Sequence, residues 1–223
     1  PPRSTLFPYT TLFRSSESGF GAFGKVELEK KLAGKVVSVS PLTDDLREGL
    51  SGGASPRDLD TMFHLIRLAF TAPRADGSAF LSVVERMKGA VENRAARPET
   101  AFGDTLSTTL AGYSQRMRPW TMALLNEMSL GGSSAFYRDR FADAGDFTFC
   151  FVGAFDVAKM KPLVETWLGS LPTKGRKETW RDNGIRPPGG VVKKTVRKGI
   201  EPKSQTRIVF TGPFDWNLRN RYV

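Results

Sequence analysis

Residues 136–172 read FYRDRFADAGDFTFCFVGAFDVAKMKPLVETWLGSLP. Their order predicts a helix end, a core strand, a tight turn and a second helix. The run 146–152 is short, almost wholly apolar and rich in aromatic residues, and Gly153 closes it, so a strand is the better reading than a helix. Asp156 can accept hydrogen bonds from the free N–H groups of a first helical turn. Met160, Leu163, Val164, Trp167 and Leu168 then recur at helical spacing, so this helix is expected to pack back on the strand. Cys150, the single cysteine, falls inside the apolar run. That position predicts a buried, inert thiol, and one cysteine allows neither an intrachain disulfide nor a cysteine metal cluster.

Working outward, 18–23 is a Gly-rich connection and 26–32 reads as a short helix ended by Gly34. The β-branched stretch 35–40 predicts a strand, with 42–50 returning as its partner before SGGA. The clearest helix start follows: Ser55 as N-cap, Pro56 at the first helical position, and Asp58 three residues after the cap. Leu59, Met62, Phe63, Ile66 and Phe70 line one face of that helix, and Pro73 stops it. Further helices are predicted over 78–94, with Leu81, Val84, Met87 and Val91 toward the core, and over 98–110. The stretch 116–134 carries a weaker pattern, and its Gly-Gly-Ser-Ser end reads as loop. The whole predicts an α+β domain in which strands from both ends of the chain meet in one sheet.

The formal net charge is +10, and its location matters more than its size. Between positions 173 and 203 there are ten Lys or Arg against three Asp or Glu, while Arg3 and Arg14 add two more and the rest is close to neutral. The excess therefore reads as belonging to a tail. Residues 173–190 have the Gly, Pro and charge content of an exposed linker, and 191–196 and 206–211 read as two strands without covering helices. No apolar run approaches the roughly 20 residues of a membrane span. Residues 4–15, STLFPYTTLFRS, resemble one reading frame of a sequencing adapter more than a targeting peptide, so 1–15 is set aside as an artefact.

Three features together carry a family resemblance: the Phe-Tyr-x-x-x-Phe helix end at 136–141, the strand closing on Val-Gly-x-Phe-Asp, and the helix closing on Leu-Gly-x-Leu-Pro. With 27–35, the 55–74 helix, GRKETWRD at 175–182 and SQTRIVFTGPF at 204–214, they resemble the pitrilysin/insulinase family of zinc metallopeptidases. The resemblance runs from about Ser18 onward and is strongest to the non-catalytic C-terminal half of a long bacterial member. It implies a mixed, mainly antiparallel sheet with helices on one face. It also implies a domain with a truncated start over 16–172, a linker over 173–190, and the first strands of a following homologous domain over 191–223.

In that family the active half binds zinc through His-x-x-Glu-His on a helix, with the Glu acting as base toward a bound water and a later Glu completing the ligands. This chain has one histidine, His64, so it lacks the motif. The helical spacing puts His64 on the polar face with Asp60 and Arg67, a structural or solvated position. Glu92 occupies roughly the place of the third zinc ligand, with Glu85 two turns earlier; solvated carboxylates beside Arg86, Lys88 and Arg94 are the plainer reading. The expectation is no catalytic residue and no metal ligand here, beyond Glu92 as a remnant position. Zinc would then belong to the other half of a full-length protein. Lys193, Lys194, Arg197 and Lys198 could touch phosphates, but no aromatic platform alternates with them, so nucleic acid is not expected. SGFGAFGK lacks the final placement and preceding strand of a phosphate loop. The implied partners are a peptide or unfolded protein substrate and the zinc-bearing N-terminal half, and the implied compartment is the periplasm. A catalytically inactive homologue serving as an assembly or recognition subunit is the alternative, with a basic nucleic-acid binder behind it.

Overall fold

The computed structural model describes residues 17–43, 47–179, 181–215 and 217–222; the adapter-like stretch 4–15 lies outside them. The chain divides into two compact units, one running to Asn93 and including Trp120–Asp182, the other made of Arg94–Pro119 and Asn183–Val223.

In the first unit, α1 (Lys25–Lys31) leads into an antiparallel pair, β1 (Val37–Thr43) and β2 (Glu48–Ala54). Val37 pairs with Ala54, Ser40 with Ser51 and Thr43 with Glu48. The return strand expected over 42–50 thus lies at 48–54, with 42 and 43 in β1 and SGGA as the last part of β2. A Cβ on Gly52 would lie 2.3 Å from the Ser38 carbonyl oxygen. Glycine is there because the neighbouring backbone leaves no room for a side chain, a use of glycine that composition alone reads as a turn.

Ser55 and Pro56 do open a helix, but in a different way from the expected cap. A 3-10 turn over Pro56–Asp58 precedes α2 (Leu59–Thr71), and the Ser55 hydroxyl donates to Asp58 Oδ2 at 2.6 Å instead of accepting from the helix. The same carboxylate accepts from the Val36 N–H at 3.0 Å, which ties the helix start to the residue before β1. The Ser55 hydroxyl, then the Val36 N–H, hold the Asp58 pKa below its ordinary value.

Helix α2 is the centre of the core. Met62, Phe63, Leu65, Ile66, Ala69 and Phe70 are all buried, so the apolar face is broader than the stripe read from sequence. Pro73 has no N–H to offer the carbonyl four residues before it. That carbonyl, Ala69, instead accepts from the Tyr137 hydroxyl at 2.9 Å. The breaker that ends α2 therefore creates an acceptor that α6 (Leu130–Arg140) satisfies. The Gly-Gly-Ser-Ser stretch lies inside α6, whose first turn is capped by Ser129 Oγ accepting from the Gly132 N–H at 3.2 Å.

Helix α3 (Gly77–Ala96) is capped by Asp76, which accepts from the N–H groups of Ser78 and Ala79 at 3.0 Å. Its buried residues are Val83 and Val91, whereas Leu81 is 62% exposed. The core face is rotated from the expected one, because four-residue steps through 83, 87 and 91 keep to one side of the helix. Helix α5 (Met122–Asn126) is a short segment capped by Thr121.

The 146–152 run forms no ladder with a described residue. Its side chains nevertheless alternate as in a strand. Phe147, Phe149 and Phe151 pack on the core, and Thr148, Cys150 and Val152 are exposed. Phe70 meets Phe141, Phe147 and Phe149 with ring centroids 4.9–6.1 Å apart, and Phe151 meets Phe63 at 5.2 Å. Cys150 is therefore exposed and not buried as expected: with three phenylalanines taking the inward positions, the period of two leaves it outside.

Asp156 caps α7 (Val157–Leu163) by accepting from the Ala158 N–H at 2.8 Å. Beyond Pro162 the helix widens into a π-turn over Val164–Leu168, in which the Gly169 N–H reaches the Val164 carbonyl at 3.0 Å.

In the second unit, α4 (Pro98–Leu110) matches the predicted helix. Residues 191–196 and 206–211 form no ladder with any described residue. A strand needs a hydrogen-bonded neighbour at about 4.8 Å to be one, and neither run bonds to one among the described residues.

Candidate functional site

Three features of the first unit are built from side chains rather than backbone. The first is on the outer face of α2. His64 is exposed, and its ring stacks on Trp167 with centroids 4.8 Å apart and planes at 20°. The Trp167 indole N–H donates to Asp60 Oδ1 at 3.0 Å, and Arg67 Nη1 donates to the Ser170 hydroxyl at 2.7 Å. His64, Asp60 and Arg67 do share one polar face, as the spacing predicts. The hydrogen-bond partners of Asp60 and Arg67 lie 107 and 103 positions further on, at the π-turn, and together the three residues fasten that turn to α2.

The second feature is a charge network that no sequence pattern announces. Arg140, at the end of α6, donates from Nε to Glu48 Oε1 at 2.5 Å and from Nη1 to Glu178 Oε1 at 2.8 Å, and its Nη2 also reaches both carboxylates. Arg176 donates to Glu178 at 3.2 Å and to the Asp139 carbonyl at 2.9 Å, and pairs with Asp139 Oδ1 at 3.1 Å. Burial alone would lower the Arg140 pKa, but the bonds to Glu178 and Glu48 more than offset this and raise it. Residues 174–178, the start of the expected linker, are thus bound to α6 and β2.

Asp143 completes the attachment. It is 1% exposed, caps the 3-10 turn Ala144–Asp146 through the Gly145 N–H at 2.9 Å, and accepts from the Arg176 N–H at 2.6 Å. The Arg176 N–H is the largest stabilising contact, and with the Lys174 and Gly145 N–H groups and the Thr173 hydroxyl it lowers the Asp143 pKa from 3.8 to about 2. A depressed carboxylate pKa stabilises the fold fully above the unfolded value and loses that contribution as pH falls through the folded value. Asp143→Asn is accordingly expected to unfold more readily than the parent chain at neutral pH, with the two converging as pH approaches about 2. Unfolding midpoints measured across that range check this; a gap that persists unchanged at the lowest pH counts against it.

The third feature is a shallow groove of about 450 Å³ between the end of α2 and the residues after α6, lined by Phe70, Pro73, Phe141 and Pro172, with Arg138 and Ser170 among its polar groups. Its lining combines these apolar side chains with the Arg138 guanidinium.

Zinc does not fit the residues present. His64 is the one imidazole in the chain and its ring lies against Trp167. Glu92 is exposed, as is Glu85, which pairs with Lys88 at 2.6 Å. Among the described residues no group of three or more His, Cys, Asp or Glu side chains converges as a metal site would require.

No family model matches the chain. A curated protein of Haemophilus influenzae, "Probable zinc protease PqqL", is 22% identical over 221 residues, which is 95% of this chain and 23% of that protein. The crystal structure of the periplasmic protease PqqL from Escherichia coli superposes with a TM-score of 0.67 at 21% identity, covering 82% of this chain and 21% of that one. The ferredoxin protease FusC, crystallised as a point mutant in complex with Arabidopsis ferredoxin, gives 0.65 at 17% identity, over 80% and 20%. The chain is related to the pitrilysin/insulinase zinc proteases. Its helix-rich α+β fold with a small antiparallel sheet is the fold of these pitrilysin-like proteases. The chain spans about a quarter of the length of its curated protease relative. Among the described residues no helix is long and apolar enough to cross a membrane.

Of the positions singled out in the sequence, the structure assigns His64 a stacking partner and leaves Glu92 on an exposed helical surface. It does not bring the two into a common site. Arg140, Glu48, Glu178 and Asp143 escaped sequence reading because their partners lie 33 to 92 positions apart. The one local sign was Asp143 two residues before Gly145, the spacing of a side chain that closes its own turn.

Proposed function

We propose that this chain is part of a longer zinc-dependent endopeptidase and belongs to the half that encloses and positions peptide without carrying the zinc. The observation that carries this reading is the single histidine, His64, whose ring is committed to Trp167, in a chain related to zinc proteases. The metal chemistry would then be supplied by another segment. This chain would supply shape, exclusion of bulk water and contacts to an extended substrate, which raise the fraction of encounters in a reactive geometry. Two surfaces suit that role: the exposed side of 147–152, whose backbone makes no ladder, and the apolar groove beside Arg138. On the same reading 191–223 opens a following domain of similar design, and the compartment is the periplasm, as for the Escherichia coli protease.

The test is to load the 223-residue chain with an equivalent of zinc, desalt it, and assay both retained metal and hydrolysis of fluorogenic peptides. No retained zinc and no cleavage are expected. Stoichiometric zinc together with chelator-sensitive cleavage would overturn the proposal.

A further inference from the structure

The tail 183–223 carries most of the basic excess, nine Lys or Arg against two Asp or Glu, and it clusters with Arg94–Pro119. Arg94–Pro119 and Asn183–Val223, the second unit, hold 13 Lys or Arg against 4 Asp or Glu, so +9 of the chain's net +10 sits there. Two of those four carboxylates are already paired within the unit, Asp104 with Arg94 and Glu201 with Lys203. A unit so charged repels itself unless an anionic partner offsets it.

Within it, the run 191–199 is laid along α4. The Lys194 ammonium lies 5.5 Å from the centroid of the Tyr113 ring, just past the C-terminal end of α4. At the other end Lys198 Nζ donates to the Ala95 carbonyl, and Gly199 lies against Pro98. A 13-residue helix is about 20 Å long. The run reaches both ends of it within five residues and contains no helix, turn or bend between 191 and 199. Val196 is half-buried and the Lys194 and Lys198 side chains reach Tyr113 and the Ala95 carbonyl, so 194, 196 and 198 turn toward the helix, while Val192 is 46% exposed. Odd positions Lys193, Thr195 and Arg197 are exposed, and Lys193 and Arg197 make no ion pair with a described residue. No backbone group of 191–199 bonds to the backbone of a described residue.

We infer that the 191–198 run is a docking edge for an acidic extended peptide segment, which adds beside it as a strand with carboxylates on Lys193 and Arg197. The inference rests on the peptide-positioning reading above and names the substrate chemistry of this part of the chain. An added strand supplies the missing backbone partners, and its alternate side chains repeat at about 7 Å, the same repeat that separates Lys193, Thr195 and Arg197. Acidic peptide fits better than single-stranded nucleic acid, because only a peptide brings a backbone that can pair with the unpartnered backbone groups of the run.

The experiment uses the whole chain and fluorescence anisotropy with three labelled probes: a peptide of about eight residues alternating Glu and Thr, its Gln analogue, and a single-stranded oligonucleotide of about fifteen bases. The Glu peptide is expected to bind about tenfold tighter than the Gln analogue at low salt, or better, and to weaken as salt rises. The double variant Lys193→Gln with Arg197→Gln should lose most of that discrimination. Lys159→Gln with Lys161→Gln, an equal loss of charge on α7, should keep it, and circular dichroism of both variants monitors folding. Equal binding of the two peptides, an oligonucleotide that binds more tightly than the Glu peptide, or equal effects of the two double variants would each overturn the inference. Zinc-dependent cleavage would instead count against the non-catalytic reading, whichever peptide binds.

Discussion

Phe63→Ala is expected to destabilise the first unit by about 3–5 kcal/mol, the largest effect of any single truncation in this chain. Phe63 is 0% exposed, sits in the middle of α2, and meets Phe151 at 5.2 Å. Its removal takes away the transfer free energy of an aromatic side chain. It also leaves a void whose walls belong to two different segments, α2 and the 147–151 run, and neither can collapse without moving the other. Since domains of this kind are stable by only about 5–15 kcal/mol, the variant should populate unfolded forms at modest denaturant. Leu81→Ala is the matched control: at 62% exposure it should change stability by no more than about 0.5 kcal/mol. Urea unfolding of both variants reads the difference. A Phe63→Ala cost below about 1 kcal/mol would mean that the 147–151 run does not pack as described.

Arg140→Met is expected to cost about 2–4 kcal/mol, although methionine keeps much of the side-chain volume. The loss is electrostatic. Glu48 and Glu178 both bond to the one guanidinium, and their side chains keep only 24% and 22% exposure. Without Arg140, Glu48 loses its guanidinium and Glu178 keeps its bond to Arg176 at 3.2 Å, which leaves excess negative charge with little water to screen it. The cost stays below the upper end for buried pairs because that residual exposure lets water reach the vacated site. Replacing Glu48 and Glu178 by Gln in the Arg140→Met background should recover part of the lost stability, since the excess negative charge is then gone while Arg176 gives up its charged bond to Glu178. If the triple variant is no better than the single one, Arg140 acts through packing of its stem rather than through charge.

The helices are legible because their signals are local. Ser55-Pro56, Asp156 and Pro98 mark starts that depend on a few neighbouring backbone groups, and α4 lies where its pattern puts it. The misreadings share one cause. Gly52 in β2 falls outside the strand expected to end at 50, and Gly131 and Gly132 in α6 read as loop, because glycine has no local preference strong enough to resist its surroundings. A close Ser38 carbonyl decides the first, and helix packing with a Ser129 cap the others. Cys150 reads as buried because its neighbours are apolar. In a run with period two, apolar neighbours on both sides instead put it on the opposite face.

The sequence by itself determined that α1 to α4 and α7 are helical and that one histidine cannot form a two-histidine zinc motif, because each of these depends on residue identity and short spacing. Only the tertiary structure decided that Tyr137 completes the Ala69 carbonyl left open by Pro73, that Arg140 and Asp143 hold the 174–178 segment, and that 191–199 lies along α4. The energies of those contacts depend on distance in space and on exclusion of water, and neither is encoded in the spacing of residues along the chain.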